Sequence, residues 1–243
     1  MCYNASLSQS AISLKKKYKA EIDENLLEPI YFKSAFSLPS WPVIKAEDTG
    51  EFVFLKWGLI PYWEKNMESA KQIRLKTLNA RFETLTERVS YRLPADKKRC
   101  AVVVDGYFEW KDISGKKYPY YLYMQGKTPF LLAGIWDRWL DKETNNVFET
   151  FSVVTTDAHG IAEEIHNKKK RMPFILDNDN LQIWMDTGRK FKEIENNLVP
   201  SWRELKAHPV SQLPSFRSRG GNTLLVQKKL EYNKASRDTL FFE

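Results

Sequence analysis

The amino-acid sequence predicts an α+β fold in which a strongly curved, barrel-like antiparallel β-sheet is surrounded by peripheral helices. Short runs rich in Val, Phe, Tyr and Trp fill the middle of the chain, and turn residues separate several of them. Helical spacing of apolar residues is confined to the edges. A chain of 243 residues that is 42% hydrophobic can bury a sizeable core around such a sheet.

Six segments are predicted to be strands because each is a short run of β-branched and aromatic residues. Turns are expected at Ser114-Gly115 and at Gln125-Gly126. The predicted strands are Glu51–Lys56, Cys100–Val104, Tyr107–Trp110, Tyr118–Met124, Phe130–Trp136 and Phe148–Thr155.

Helices are predicted at four places, where apolar residues recur with helical spacing. In the third of them Asn178 or Asp179 can cap the start, and Gly188 follows the end as a C-terminal cap would. No repeat or linker divides the chain, so we expect one domain over residues 1–228 and an exposed polar tail over residues 229–243. The predicted helices are Ser10–Glu24, Asp157–Ile165, Asn178–Asp186 and Arg189–Asn197.

Composition favours a soluble, cytoplasmic protein. No run of about 18 apolar residues suits a membrane span, and residues 1–20 are too polar and lysine-rich for a signal peptide. Cys2 and Cys100 give neither a disulfide framework nor the spacing of a zinc site, so no metal or cofactor is expected. A net charge of +7 favours a polyanionic partner, although many basic proteins have none.

Cys2 becomes the first residue if the initiator Met1 is removed, and it then carries an α-amine and a thiol. The α-amine has an ordinary pKa of about 7.7–8.0 against about 10.4 for lysine, so its free-base fraction at neutral pH is ~300 times larger. The amine can condense with an aldehyde, and the thiol can then close a five-membered thiazolidine ring. The alternative is that Cys2 is an ordinary residue near a chain end.

Two segments combine aromatic and polar residues in ways that suit nucleic-acid binding. The segment from Trp57 to Trp63 is a turn whose two Trp residues either belong to the core or form a platform for unpaired bases. The segment from Asn79 to Thr84 places an amide, a guanidinium and a carboxylate close together. Its alternative interpretation is a solvated helix start with a local ion pair.

Two further segments carry groups suited to proton transfer. Glu109 lies between Phe108 and Trp110, which would desolvate it and raise its pKa, unless it points outward. His166 can move a proton near neutral pH, and the Lys/Arg run that follows it can bind phosphates, unless this is simply a basic surface loop. Cys100 lies in an apolar strand and is most simply a buried small hydrophobe.

The order and spacing of these segments resemble the SOS response-associated peptidase (SRAP) family of abasic-site processing proteins. Three departures occur: Tyr3-Asn4 replace the usual Gly-Arg, four residues instead of one separate His166 from Arg171, and residues 36–39 match the usual Asn-x-Ala-Pro only at Pro39. The matching segments are Met1-Cys2, Trp57–Trp63, Asn79–Thr84, Arg99–Trp110, Ala133–Trp136, Thr155–Pro173 and His208–Ser211.

The resemblance implies the SRAP fold and assigns a role to each candidate residue. Cys2 would form a thiazolidine with the ring-opened deoxyribose of an abasic site. Asn79 would orient Cys2 and the sugar, Glu109 would be the acid/base in Schiff-base formation, and His166 would assist sugar ring opening. Phosphate contacts would come from Arg81 and Arg171, base stacking from Trp63, and a further contact from Arg88.

Three functions remain open on the sequence. The first is covalent capture of abasic sites in single-stranded DNA, with associated lyase and autopeptidase activity, by a monomer that is nucleoid-associated when bound to DNA. The second is a cysteine peptidase that uses Cys2 and His166. The third is a non-covalent single-strand binding module that relies on Trp63 and the arginines.

Overall fold

The structure, a computed structural model, describes residues 2–211 and 222–230, so the predicted tail lies outside the described residues from position 231 onward. Thirteen strands and six α-helices form within these ranges. The strands are β1 (Asn4–Leu7), β2 (Ile30–Ser34), β3 (Ser40–Lys45), β4 (Asp48–Trp57), β5 (Asn79–Arg81), β6 (Arg99–Val104), β7 (Gly106–Ile113), β8 (Lys116–Met124), β9 (Phe130–Leu140), β10 (Val147–Asp157), β11 (Arg171–Pro173), β12 (Ile175–Leu176) and β13 (Leu205–Pro209). The helices are α1 (Ala11–Tyr18), α2 (Met67–Arg74), α3 (Val89–Lys97), α4 (Ile161–Ile165), α5 (Asn178–Met185) and α6 (Phe191–Ile194).

Five strands close into a barrel. Antiparallel pairing runs from β4 to β3, β6, β9 and β10, and β10 then pairs parallel with β4. The interior is tightly packed: a Cβ atom at Gly134 would lie 2.8 Å from Cγ2 of Val102 and 2.9 Å from Sγ of Cys100. Cys100 is fully buried there, as predicted. The predicted α+β class and barrel-like sheet are confirmed, with one parallel pairing in the ring.

A second, antiparallel sheet lies in the order β13, β8, β7, β1, β2. The chain passes from β6 of the barrel to β7 of this sheet through Asp105, which is 5% exposed. Its carboxylate accepts hydrogen bonds from the Oγ atom of Ser6 and, at 2.6 Å each, from the N and Oγ atoms of Ser8. These bonds fasten β1 to the corner between the two sheets, and β1 begins two residues after Cys2.

All six predicted strands are present, and each is longer than predicted. The two predicted turns are also confirmed, since Ser114, Gly115 and Gly126 have positive φ angles of 52°, 86° and 80°. No sequence signal predicts the first three strands, which are β1, β2 and β3.

The predicted helices are shorter in the structure. Helix α1 ends where Lys19 adopts the left-handed conformation, well before Glu24. Helix α4 starts at Ile161 because the preceding residues belong to β10 and its turn. The predicted caps of α5 are wrong: Asp177 caps its start by accepting a hydrogen bond from the N atom of Asn180, and the helix ends at Met185 with Asp186, not Gly188, as the C-terminal cap.

Two helices, α2 and α3, have no counterpart among the predictions. Within the described residues, no helix combines the length and the apolar character that crossing a membrane requires.

Candidate active site

Cys2 lies two residues before the start of β1 and is completely buried. In the antiparallel pairing of β1 with β7, Ala5 is opposite Tyr107, and continuing this register towards the chain start brings Tyr3 level with Glu109. Burial raises the pKa of the Cys2 thiol to about 12, and the nearby negative charge of Glu109 adds to this rise. Cys2 is therefore a neutral thiol next to a carboxyl group.

Glu109 is 5% exposed, so the interpretation of an outward-facing residue is wrong. Burial raises its pKa to about 7, which confirms the predicted direction. The predicted cause is wrong, because Phe108 and Trp110 alternate with Glu109 along β7 and lie in a separate apolar cluster on the opposite face. Glu109 and Tyr107 lie on the same face of β7. The residues packed against that face exclude water from the Glu109 carboxyl.

His166 follows α4 and faces Glu109, with 3.9 Å between its Nε2 atom and Oε2 of the carboxyl. Burial lowers the pKa of His166 to about 4, so the ring is neutral at pH 7. Its Nδ1 atom lies 2.8 Å from the carbonyl oxygen of Arg171 and 3.0 Å from the backbone N atom of the same residue. Nδ1 can therefore donate or accept, and Nε2 can take either role towards Glu109 without movement of the ring.

Asn79 opens the short strand β5, which pairs parallel with β10. Within the segment from Asn79 to Thr84 only Asn79–Arg81 is a strand, whereas Phe82–Thr84 forms a short 3-10 helix, so the alternative interpretation as a helix start holds for the second half of the segment. Among the described residues, neither polar atom of the Asn79 side chain has a well-formed hydrogen bond, although both are buried. The Asn79 amide nevertheless influences the Tyr3 hydroxyl. Burial raises the pKa of Tyr3, and the interaction with Asn79 partly offsets that rise. A buried amide with unused hydrogen-bonding capacity suits a site that receives a polar ligand.

Arg171 is 5% exposed and is enclosed by acceptors. Its two Nη atoms lie 3.0 and 2.8 Å from the carboxylate oxygens of Glu83, 2.6 Å from Oδ1 of Asp157 and 2.7 Å from the carbonyl oxygen of Thr155. The ion pair of Glu83 is thus formed with Arg171 rather than with the neighbouring Arg81. Because the Arg171 backbone also holds the His166 ring, this network fixes the imidazole; its predicted phosphate contact stays a prediction.

The four residues between His166 and Arg171 form an exposed loop that is fastened to the β7–β8 hairpin. Oδ1 of Asn167 accepts from the N atom of Asp112 at 3.1 Å, and Nδ2 donates to its carbonyl oxygen at 2.8 Å. Nζ of Lys168 lies 2.8 Å from Oδ2 of Asp112. The alternative interpretation of a basic surface loop is therefore correct for these four residues. Although the loop is longer than the family pattern, His166 still contacts the backbone of Arg171.

The arginines expected to contact DNA lie beside Asn79. Arg81 is exposed and follows Asn79 by two positions on β5, so the two side chains share a face. Arg88 is exposed just before α3. Burial raises the pKa of Tyr91 to about 12, and the positive charge of Arg88 partly offsets that rise. The Tyr91 hydroxyl donates to the carbonyl oxygen of Asn79 at 3.2 Å. Two cations therefore flank the residue predicted to orient the sugar.

The two Trp residues of the predicted stacking segment divide between the two interpretations. Trp57 is fully buried and stacks on Phe151 in the core, whereas Trp63 is 42% exposed beside Tyr62. Gly58 makes the turn between them, with a φ of 96°. The stacking role of Trp63 stays a prediction.

The structure brings Cys2, Asn79, Glu109 and His166 together, and it adds two residues that sequence reasoning did not assign. Asn79, Cys2 and Glu109 all influence the pKa of the Tyr3 hydroxyl, and Tyr107 lies on the Glu109 face of β7. The two-residue period of a strand is the signal that would have selected Tyr107. In the described part of the chain, no cluster of three His, Cys, Asp or Glu side chains is arranged to hold a metal ion.

By class this is an α+β barrel protein in which a buried cysteine, a buried carboxyl and a neutral imidazole form one candidate site. The chain belongs to the SOS response associated peptidase (SRAP) family, whose model matches residues 1–213.

Curated relatives of this chain are named abasic site processing proteins. YoqW of Bacillus subtilis is 32% identical over 198 residues, which cover 79% of this chain and 85% of YoqW. HMCES of Xenopus tropicalis is 30% identical over 217 residues, which cover 78% of this chain and 63% of HMCES. A relative from Saccharomyces cerevisiae is 31% identical over 191 residues, and the match spans 76% of this chain and only 50% of that longer protein.

Two solved structures of similar fold come from bacteria. A protein from Bacteroides thetaiotaomicron superposes with a TM-score of 0.87 at 36% identity, covering 95% of this chain and 100% of that chain. A protein from Bordetella bronchiseptica gives a TM-score of 0.73 at 21% identity, covering 87% of this chain and 100% of that chain, and supports the fold alone.

Proposed function

We propose that this protein captures abasic sites in single-stranded DNA by forming a covalent thiazolidine through Cys2 after Met1 has been removed. One observation carries the proposal: a buried carboxyl with a pKa of about 7 and a neutral imidazole lie together beside the first cysteine of the chain. The names of the curated relatives support abasic sites as the substrate.

The first chemical step forms a Schiff base. The α-amine of Cys2 attacks the C1′ aldehyde of the ring-opened sugar, a nitrogen–carbon bond forms, and the carbonyl oxygen leaves as water. That oxygen needs protons, and Glu109 is about half protonated at neutral pH because of its raised pKa. His166, neutral and able to accept at Nε2, can take the proton of the sugar hydroxyl as the ring opens.

The second step closes the ring. The Cys2 sulfur adds to the imine carbon, the electron pair of the C=N bond moves to nitrogen, and the thiol proton passes to the Glu109 carboxylate. The product contains no imine, so it resists hydrolysis. Before ring closure, loss of a C2′ proton from the Schiff base would break the 3′ carbon–oxygen bond, and strand cleavage of this lyase type therefore competes with capture.

The DNA strand would lie along the exposed residues near the site. Arg81 and Arg88 offer guanidinium groups for phosphates, and Lys169 adds an exposed cation in the loop after His166. Trp63 and Tyr62 are 42% and 56% exposed and can stack on bases. Stacking of this kind requires unpaired bases, which is why we favour a single strand.

The buried state of Cys2 argues against a general cysteine peptidase. Such enzymes activate the nucleophile as a thiolate paired with an imidazole, whereas burial raises the pKa of the Cys2 thiol to about 12 and Nε2 of His166 faces Glu109. We therefore restrict peptidase activity to removal of Met1. A non-covalent binding module would have no use for the carboxyl–imidazole pair.

The test is a heat-stable adduct on a denaturing gel. Protein freed of Met1, checked by intact mass, is incubated with a single-stranded oligonucleotide carrying one abasic site, and a tetrahydrofuran analogue without the aldehyde is the substrate control. We expect an adduct with the wild type and with Cys100→Ala, which removes the other, buried cysteine. We expect no heat-stable adduct with Cys2→Ala. Failure of the Met1-free wild type to form any adduct would overturn the proposal.

A further inference from the structure

Tyr107 has a fully buried side chain whose hydroxyl lacks a hydrogen-bond partner among the described residues. It precedes Glu109 by two positions on β7, so the two side chains point to the same face of the sheet. Burial raises the pKa of Tyr107 well above its ordinary value, and the charges of Cys2 and Glu109 raise it further. The hydroxyl therefore lies within electrostatic reach of both reacting groups and is bonded to neither.

A buried hydroxyl without a partner is costly to a folded protein, and such groups are uncommon. The free-energy cost of burying this hydroxyl without a partner is explained if its hydrogen-bond acceptor forms only during the reaction. In the free protein the Cys2 sulfur is a neutral thiol, which is a weak acceptor. Sulfur becomes a strong acceptor at the moment its proton departs.

We infer that Tyr107 is a further residue of the capture reaction, donating a hydrogen bond to the Cys2 sulfur while the thiazolidine ring closes. This inference rests on the proposed function. In the step concerned, the sulfur–carbon bond forms, the imine electron pair moves to nitrogen, and the thiol proton goes to the Glu109 carboxylate. Tyr107 keeps its own proton throughout, so its part is to stabilise the negative charge that develops on sulfur.

A matched control exists in Tyr18, at the end of α1. Its hydroxyl is also buried and has no partner among the described residues, and its ring packs edge-on against Phe52. Burial alone raises the pKa of Tyr18, with no contribution from Cys2 or Glu109. Tyr18→Phe therefore removes the same kind of unpartnered hydroxyl as Tyr107→Phe, away from the reacting groups.

The experiment separates Schiff-base formation from ring closure in Met1-free protein. One arm uses the abasic oligonucleotide and the other uses glycolaldehyde, a small aldehyde that needs no DNA site. At each time point, borohydride reduction traps the imine, and alkylation in denaturant reports whether the Cys2 thiol is free or in the ring. We expect Tyr107→Phe to slow ring closure about tenfold, the effect of one hydrogen bond, while imine formation is unchanged.

Stability provides a second measurement. Removing an unpartnered buried hydroxyl relieves an unfavourable burial, so the urea midpoint of Tyr107→Phe should be no lower than that of the wild type. Tyr18→Phe should match the wild type in ring closure. Equal ring closure in wild type and Tyr107→Phe with both aldehydes would overturn the inference. If the wild type closes the ring with glycolaldehyde in a Tyr107-dependent way but forms no DNA adduct, the proposed function fails and the interaction of Tyr107 with sulfur stands.

Discussion

The Nε2 atom of His166 and the Oε2 atom of Glu109 lie 3.9 Å apart, and the pKa values of the two groups are displaced in opposite directions. Burial raises the pKa of Glu109 to about 7 and lowers that of His166 to about 4. The usual order is reversed, so between these values the carboxyl holds the proton and the imidazole is neutral. Near neutral pH the site therefore contains a carboxyl that can donate a proton next to an imidazole that is neutral.

Replacing Glu109 should slow capture strongly. Glu109→Gln keeps the size of the side chain but cannot donate or accept a proton, so the initial rate of adduct formation should fall about 100-fold at neutral pH. The matched control is Glu195→Gln, which removes a carboxyl paired with Lys192 on the surface. Rates would be compared across a pH series, and a Glu109→Gln rate within a factor of two of the wild type would contradict the assignment.

Stability should depend on pH through Glu109. Its folded-state pKa is about 7 against an ordinary 4.5, so its contribution is fully present below pH 4.5 and is lost as pH rises through 7. The loss amounts to about 3 kcal/mol by pH 8. Glu109→Gln cannot ionise and should gain about this much over the wild type between pH 4.5 and pH 8, measured as free energies of unfolding in urea. Parallel pH curves for the two proteins would contradict the raised pKa.

The buried guanidinium of Arg171 should matter to stability. Arg171→Ala removes the partner of Glu83 and opens a cavity, and we expect the free energy of unfolding to fall by about 2 kcal/mol. Arg189→Ala breaks a half-exposed pair with Asp186 and should cost about 0.5 kcal/mol or less. Urea unfolding of both variants checks the contrast, and equal losses would show that the Arg171 network contributes no more than a surface pair.

Salt dependence should distinguish the two arginines predicted to bind phosphate. Arg81 is exposed without an ion pair among the described residues, so Arg81→Ala should reduce the slope of log affinity against log salt by about 0.7 for single-stranded DNA. Arg171 is already paired, and Arg171→Ala should leave the slope unchanged if its role is to hold His166. Lys192→Ala, on α6, removes an equal charge elsewhere. A slope that changes with Arg171 and not with Arg81 would reverse these roles.

Local sequence patterns predict the barrel strands well because continuous apolar runs, such as that of β6, mark strands that are buried on both faces. They miss α3, because Pro94 lies inside it and cannot donate the usual backbone hydrogen bond. They also miss β1 and β2, because β1 pairs with distant β7 and β2 pairs with β1, and no local window contains these contacts.

The sequence predicts which residues belong to the candidate site, but it predicts only part of their geometry. The reactive group types at Cys2, Glu109 and His166 can be named from chemistry and family resemblance. Their environment cannot be predicted, because the pKa of Glu109 depends on which face of β7 it occupies, and the pKa of His166 depends on its burial and on the four-residue loop that brings Arg171 against its ring. The enclosure of Arg171 by Glu83, 88 positions away, is likewise a product of the fold.

Peptide mapping of the purified adduct tests the central claim most directly. After digestion, tandem mass spectrometry would locate the sugar remnant and report whether the α-amine and the thiol of the same residue are both consumed. We predict that the modified peptide begins at Cys2, lacks Met1, and has neither a free amine nor a thiol open to alkylation. A remnant attached to a lysine, or one found on a peptide that retains Met1, would contradict capture by the aminothiol of Cys2.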